Sequence, residues 1–268
     1  MRLRALFDRL TAGWRRRPAP ADVAPLASPA PTPYGRAAAG NLKFRPQLSC
    51  ENRQVASILV LPERQLNGDT EAILRAALKQ SHVWVQDGLA TPPLVIELPK
   101  ALAESAELAQ PLLWEIDRQN GQPGQVIFSA ASAGHYSHVL NGMALLSRHG
   151  CGIELDCLDP LGMALVREVK PKRARMRVPP DFLPDDLRHP QGGQLILSLL
   201  ALAERHGLAT LVGDVRSRER FDCLAQTGFD IVEGDAVAPV LDADATAQFL
   251  DNTGARAVPH DRLHWPAA

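Results

Sequence analysis

Two carboxylates stand at the ends of short apolar runs: Glu97 closes LVIE and Asp156 closes GIELD. Acids at such positions are natural oxygen donors for a divalent cation, so Glu97 and Asp156 are the candidate metal ligands. The competing reading pairs each acid with an arginine or with backbone N–H groups. A basic run, Lys170, Lys172, Arg173, Arg175 and Arg177, has the local charge to hold a phosphate or an acidic partner face; a solvated strand flank is its alternative. Arg216, Arg218 and Arg220 form a third group. They follow the apolar run ending at Val212 and open a helix, where free backbone N–H groups also favour anions. The alternative there is an exposed helix start with ion pairs to Asp214, Glu219 and Asp222.

Other chemistries find less support. His135, His138, His149 and His206 lack HxxxH or HExxH spacing, so surface or capping roles are expected. Cys50, Cys151, Cys157 and Cys223 contain no CxxC pair and follow no secretory segment, which reads as reduced thiols in a cytoplasmic protein. A formal net charge of -1 gives no field to draw nucleic acid, and with 5% aromatic residues the basic run has no interleaved stacking groups. No run approaches the roughly 18 apolar residues that a membrane-spanning helix needs.

These residues must be positioned by strands that alternate with helices. Short apolar, β-rich runs predict strands at 55–61, 94–98, 126–129, 152–155, 174–178, 209–212 and 231–232. Helical spacing predicts helices at 70–85, 100–119, 133–148, 160–169, 194–206, 218–227 and 243–252. Alternating βα units imply a parallel sheet covered by helices, and so many units between residues 41 and 252 favour a closed barrel. Functional groups in such barrels sit at the C-terminal ends of the strands.

Outside that block, residues 1–17 set Leu3, Leu6, Phe7, Leu10 and Trp14 at helical spacing, with Arg2, Arg4, Arg9, Arg15, Arg16 and Arg17 on the remaining surface. Such a basic amphipathic helix suits an anionic membrane surface or a partner groove, or else docks on its own chain. Residues 18–40, rich in Pro, Ala and Ser, read as an extended linker, and 253–268 as a tail.

From Phe44 to Leu241, order and spacing resemble the EAL family, bacterial barrels that hydrolyse cyclic di-GMP with two divalent metals. FRPQLSCENRQVASILVL is similar to that family's opening pair of strands and the EAL tripeptide, LVIELP to its asparagine-bearing strand, and VIFSAAS to its ExTE strand. LLSRHGCGIELDCLDPLGMAL resembles the segment ending in the DDFG loop, and GLATLVGDVRSRERFDCLAQTGFDIVEGDAVAPV the EGVET helix start and final QG strand. The polar motifs depart from the pattern. Ser57, Ile58 and Leu59 stand at the tripeptide, Glu97 at the asparagine and Phe128 at the next glutamate. Asp156 keeps the first paired aspartate and Cys157 replaces the second. Arg175 stands at the lysine, Gly213 at the glutamate before the EGVE turn, Glu233 at the last glutamine and Leu61 at the substrate arginine. The stretch between Leu61 and Trp84 is also shorter than in the family.

The resemblance implies an α/β fold, a TIM-like (β/α) barrel of the EAL type. Two-metal hydrolysis needs several carboxylates around ions roughly 3.5–4 Å apart. With so few donors retained, the expectation is no catalytic residue, no resident metal and no cofactor. The leading expectation is a catalytically inactive regulatory or scaffolding module that binds a protein partner, in motility, surface-appendage or cyclic di-GMP signalling. An alternative is a metal-independent cyclic di-GMP receptor, with Leu59, Asp156, Arg175, Arg216 and Glu233 toward the ligand. A third is a residual phosphodiesterase using Glu97 and Asp156. The expected location is the cytoplasm, with residues 1–17 providing a peripheral contact at the inner membrane.

Overall fold

The structure, a computed structural model, describes residues 42–63, 68–130, 139–156, 160–183 and 190–253. The amphipathic segment 1–17, the linker 18–40, the tail beyond residue 253, and His135, His138 and Cys157 lie outside the described residues.

Eight strands close into a barrel in chain order: β1 (Leu42–Ser49), β2 (Val55–Pro62), β3 (Leu94–Glu97), β4 (Val126–Ser129), β5 (Gly152–Asp156), β6 (Ala174–Val178), β7 (Ala209–Val212) and β8 (Ile231–Glu233). Neighbours from β2 to β8 pair in parallel, whereas β1 runs antiparallel to both β2 and β8. The β1–β2 connection is a tight hairpin, with Arg53 at φ 59. The closed barrel and strands β2 to β8 are those expected from the alternation of apolar runs, and β1 is the first of the opening pair of strands that the family resemblance implied.

The helices are α1 (Thr70–Gln86), α2 (Lys100–Glu104), α3 (Ala106–Arg118), α4 (Asn141–Arg148), α5 (Pro160–Val169), α6 (Pro190–His206), α7 (Arg218–Thr227) and α8 (Ala243–Asn252). Short polar side chains start several of them by accepting the orphan backbone N–H of the first turn. Asp69 accepts from Ala72 at 2.9 Å, Ser217 from Arg220 at 3.2 Å and Asp242 from Ala245 at 2.8 Å. The single helix expected over 100–119 is two helices. Ser105 is extended at φ −111, ψ 118, and its hydroxyl accepts from Leu108 N–H at 3.2 Å, so the same residue ends α2 and caps α3. The start of α4 packs on this joint at Gly142, where a Cβ would lie 1.8 Å from the Leu102 carbonyl oxygen.

The period-2 alternation of the strands divides the core. One face, including Ile58, Val60, Leu94, Ile96, Phe128, Ile153, Met176 and Val232, packs against the helices. Phe44 meets Trp84 of α1 edge-on at 5.0 Å, and the Trp84 indole N–H donates to the Ala243 carbonyl at 3.2 Å, fastening α1 and α8 over β1. The other face points into the barrel. It forms two small apolar clusters, Leu59, Val95 and Ile127 on one side and Ala209, Leu211 and Ile231 on the other. Between them the interior is polar.

Candidate functional site

On β5 and β6, Ile153, Leu155, Ala174, Met176 and Val178 face the helices, so Glu154, Arg175 and Arg177 face inward. Across the parallel ladder Glu154 stands opposite Arg175 and Asp156 opposite Arg177. From β1, Gln47 stands opposite Ser57 of β2 and Glu233 of β8. The barrel thus gathers two acids and two arginines on its axis.

They form one connected lattice. The Arg175 guanidinium pairs through Nε with Glu154 at 2.5 Å, and donates from Nη1 to the Ser57 hydroxyl at 2.8 Å and from Nη2 to the Gln47 amide oxygen at 2.9 Å. Ser57 also donates to the Gln47 amide oxygen. The Gln47 amide donates to Glu233 at 2.5 Å. Arg177 bridges the two acids, donating from Nε to Glu154 at 2.9 Å and from Nη1 to Glu233 at 2.6 Å. The Ser129 hydroxyl adds a bond to Glu154 at 2.7 Å. Two positive and two negative groups balance. Arg175 is 1% and Glu154 0% exposed, while Arg177, at 18%, is the member nearest solvent.

The charges answer to this packing. Burial by itself would raise the Glu154 carboxyl, but Arg175 and Arg177, with hydrogen bonds from Ser129 and Arg177, hold it down at about 2 against an ordinary 4.5. Burial pulls the Arg175 guanidinium down; at Arg177 the pull of Glu154 and Glu233 overcomes burial and raises it. Because the folded Glu154 value lies below the unfolded one, its contribution is complete above the unfolded value and is lost as pH falls from 4.5 towards 2. The expected result is acid unfolding in that window with a loss on the order of 3 kcal/mol, absent from a Glu154→Gln variant in pH-dependent urea melts. Identical acid limbs in the two proteins would refute the assignment.

A centre of divalent cations does not fit this donor set. Glu154 and Glu233 are both bonded to a guanidinium, and a cation between them would meet the positive charge of Arg177. Among the described residues, no three His, Cys, Asp or Glu side chains gather in a group able to hold a metal ion. Gly213, beyond the end of β7, makes the lattice possible: a Cβ there would lie 2.8 Å from Arg177 Nη1 and 3.1 Å from Glu233 Oε1. The missing side chain is the room that Arg177 and Glu233 use to meet.

The sequence-predicted residues are scattered over this end of the barrel. Glu233 and Arg175 belong to the lattice, joined through Gln47. Asp156 sits half-buried at the end of β5, and Glu97 is exposed at the end of β3 beside a cavity of about 280 Å³ that reaches Thr70 and Ile73 of α1. Leu59 lies in an apolar cluster with Val95 and Ile127. Arg216 is exposed and pairs with Asp214 at 2.7 Å, as the helix-start alternative has it. Asp222, another acid expected to pair with this group of arginines, binds Arg53 at 2.8 Å.

Two readings are corrected. Arg175 and Arg177 are not on a solvated flank, because alternation on β6 turns both inward. Phe128, placed by the resemblance at the next glutamate of the family, packs in the sheet–helix layer, and Ser129 holds the inward place at the end of β4. Gln47, Glu154 and Ser129 went unnoticed in the sequence. The available signal was a glutamate inside a buried strand, facing an arginine at the same step of the next.

The sequence matches the family described as EAL domain over residues 59–240. No curated protein matches the chain. Among solved structures, the EAL domain of Mycobacterium smegmatis DcpA superposes with TM-score 0.66 at 16% identity, over 81% of this chain and 99% of that one. The PaMucR phosphodiesterase in its c-di-GMP complex gives 0.62 at 15% identity, over 76% and 93%. The Xanthomonas citri FimX EAL domain in complex with c-diGMP gives 0.58 at 15%, over 74% and 87%. Among the described residues no helix is long and apolar enough to cross a membrane.

Proposed function

The chain belongs to the EAL domain family, and from that premise we propose that it is a member that no longer hydrolyses cyclic di-GMP and works by binding, as a regulatory or scaffolding module for a protein partner in cyclic di-GMP signalling. The observation that carries this reading is the Glu154–Arg175–Arg177–Glu233 lattice. Hydrolysis of a phosphodiester by metal ions needs unshared carboxylate oxygens around the cations and a water held for attack. Here the acids on the barrel axis are spent on guanidinium groups fixed to the same chain. Arg175 is too deeply buried to be lent to a substrate, and Leu59 and Leu61 bring apolar surface where a nucleotide would need donors.

A second reading, a metal-independent receptor for cyclic di-GMP, draws support from solved relatives described in complex with that nucleotide. Calorimetry of the full chain with cyclic di-GMP, without divalent cations, separates the two: heat at micromolar ligand favours the receptor, and none leaves the scaffold. For the shared premise, purified protein incubated with cyclic di-GMP and Mn²⁺ or Mg²⁺ is expected to give no linear product above the blank. Turnover abolished by Asp156→Ala would overturn it and restore the enzyme reading.

A further inference from the structure

One guanidinium at the open end of the barrel stands outside the lattice. Arg45 of β1 is opposite Leu59 of β2, whose side chain lies in the barrel interior. Directly opposed residues of an antiparallel pair share a face, so Arg45 points inward, as does Gln47 two residues on. Because β1 runs against the other strands, Arg45 lies nearer the mouth than Gln47. Its nearest acid is Asp235, at 3.8 Å from Nη2, which is too long for a hydrogen bond, and Asp235 is 67% exposed. Arg45 Nε is buried and has no hydrogen-bond partner, and the side chain as a whole is 24% exposed.

Native proteins rarely leave a buried donor unpaired, and an arginine offers five N–H groups in a fork that matches two oxygens of one anion. The acids nearby are not available to it. Glu154 and Glu233 are bound by Arg175 and Arg177, and Asp156 and Glu97 have interactions of their own. Arg45 is therefore an inward-facing cation, with a buried Nε, whose charge the lattice does not cancel.

We propose that Arg45 receives an oxyanion at the barrel mouth, a phosphate or a carboxylate carried by the molecule this protein binds, without any metal ion. The proposal rests on the reading of the chain as a binding module and adds the chemistry of what it binds. The anion would lie over the Arg177–Glu233 pair, with Arg45 on its β1 side, and the buried Nε would gain its missing acceptor.

The test uses the full chain and four probes without divalent cations: cyclic di-GMP, 5′-GMP, inorganic phosphate and a glutamate-rich peptide. Each is followed by the melting temperature in every variant, and in the wild type and Arg205→Gln also by the Nε–H resonance of Arg45. At least one probe is expected to give a saturable response, weakened about tenfold or more by Arg45→Gln. Arg45→Lys, which keeps the charge but not the fork, falls between. Arg205→Gln, an exposed arginine at the C-terminal end of α6, leaves the response unchanged. The nucleotide and peptide arms distinguish a phosphate from a protein carboxylate as the source. No saturable response to any probe, or equal responses from the wild type and folded Arg45→Gln, overturns the proposal. The hydrolysis assay is scored separately, so an active enzyme would sink the earlier reading while leaving the Arg45 result to stand or fall by itself.

Discussion

Arg175→Met lowers the unfolding free energy by about 3–5 kcal/mol in urea denaturation, because it leaves Glu154 with part of its compensation gone and strands Gln47 and Ser57 without their donor. The cause is desolvation rather than lost attraction. A carboxylate at 0% exposure has no water to fall back on, so removing one partner exposes the full cost of burying the other. Glu154→Leu alone should cost a similar amount, since it leaves the Arg175 guanidinium in the same place. The double variant Glu154→Leu/Arg175→Met, in which both charges go, should recover most of the loss. Simple additivity of the two single losses would mean that the pair is not the coupled unit described above.

Gly234→Ala is expected to cost on the order of 3–5 kcal/mol, combining backbone strain with a collision that cannot relax. Gly234 has φ 137, and a Cβ there would sit 2.3 Å from the Val215 backbone nitrogen. That contact is between main chains, so no rotamer relieves it. Val215 N–H donates to the Glu233 carbonyl, and Ala236 N–H donates back to the Val215 carbonyl, which ties the segments after β7 and β8 together at the barrel mouth. A melting curve of Gly234→Ala indistinguishable from wild type would show that these segments part more readily than the close approach implies.

Much of the architecture was legible because it is local. Runs such as VIFS and ATLV are short, apolar and bounded by polar or glycine-containing stretches, and β4 and β7 lie where the runs place them. The division of α2 from α3 was not legible. Ser105 interrupts a stretch of Ala, Leu and Glu whose spacing is helical on both sides, and only the packing of α4 against the joint shows the break. At the site, single positions were read one by one against the family pattern, and their joint arrangement was not read at all. The Arg175–Gln47 bond spans 128 residues of chain, and nothing in a linear reading pairs them. The lattice becomes visible once alternation on β5 and β6 is laid across the barrel, with GIELD beside ARMRV and acid beside base.

The bare backbone at Gly213 decides what a further acid could do at the barrel mouth. A carboxylate introduced at that position alone would arrive where Arg177 and Glu233 already touch, and it would add negative charge beside Glu233 without making space for an ion. An acid introduced there would therefore upset the balance of interior charge before it offered any cation a place to sit.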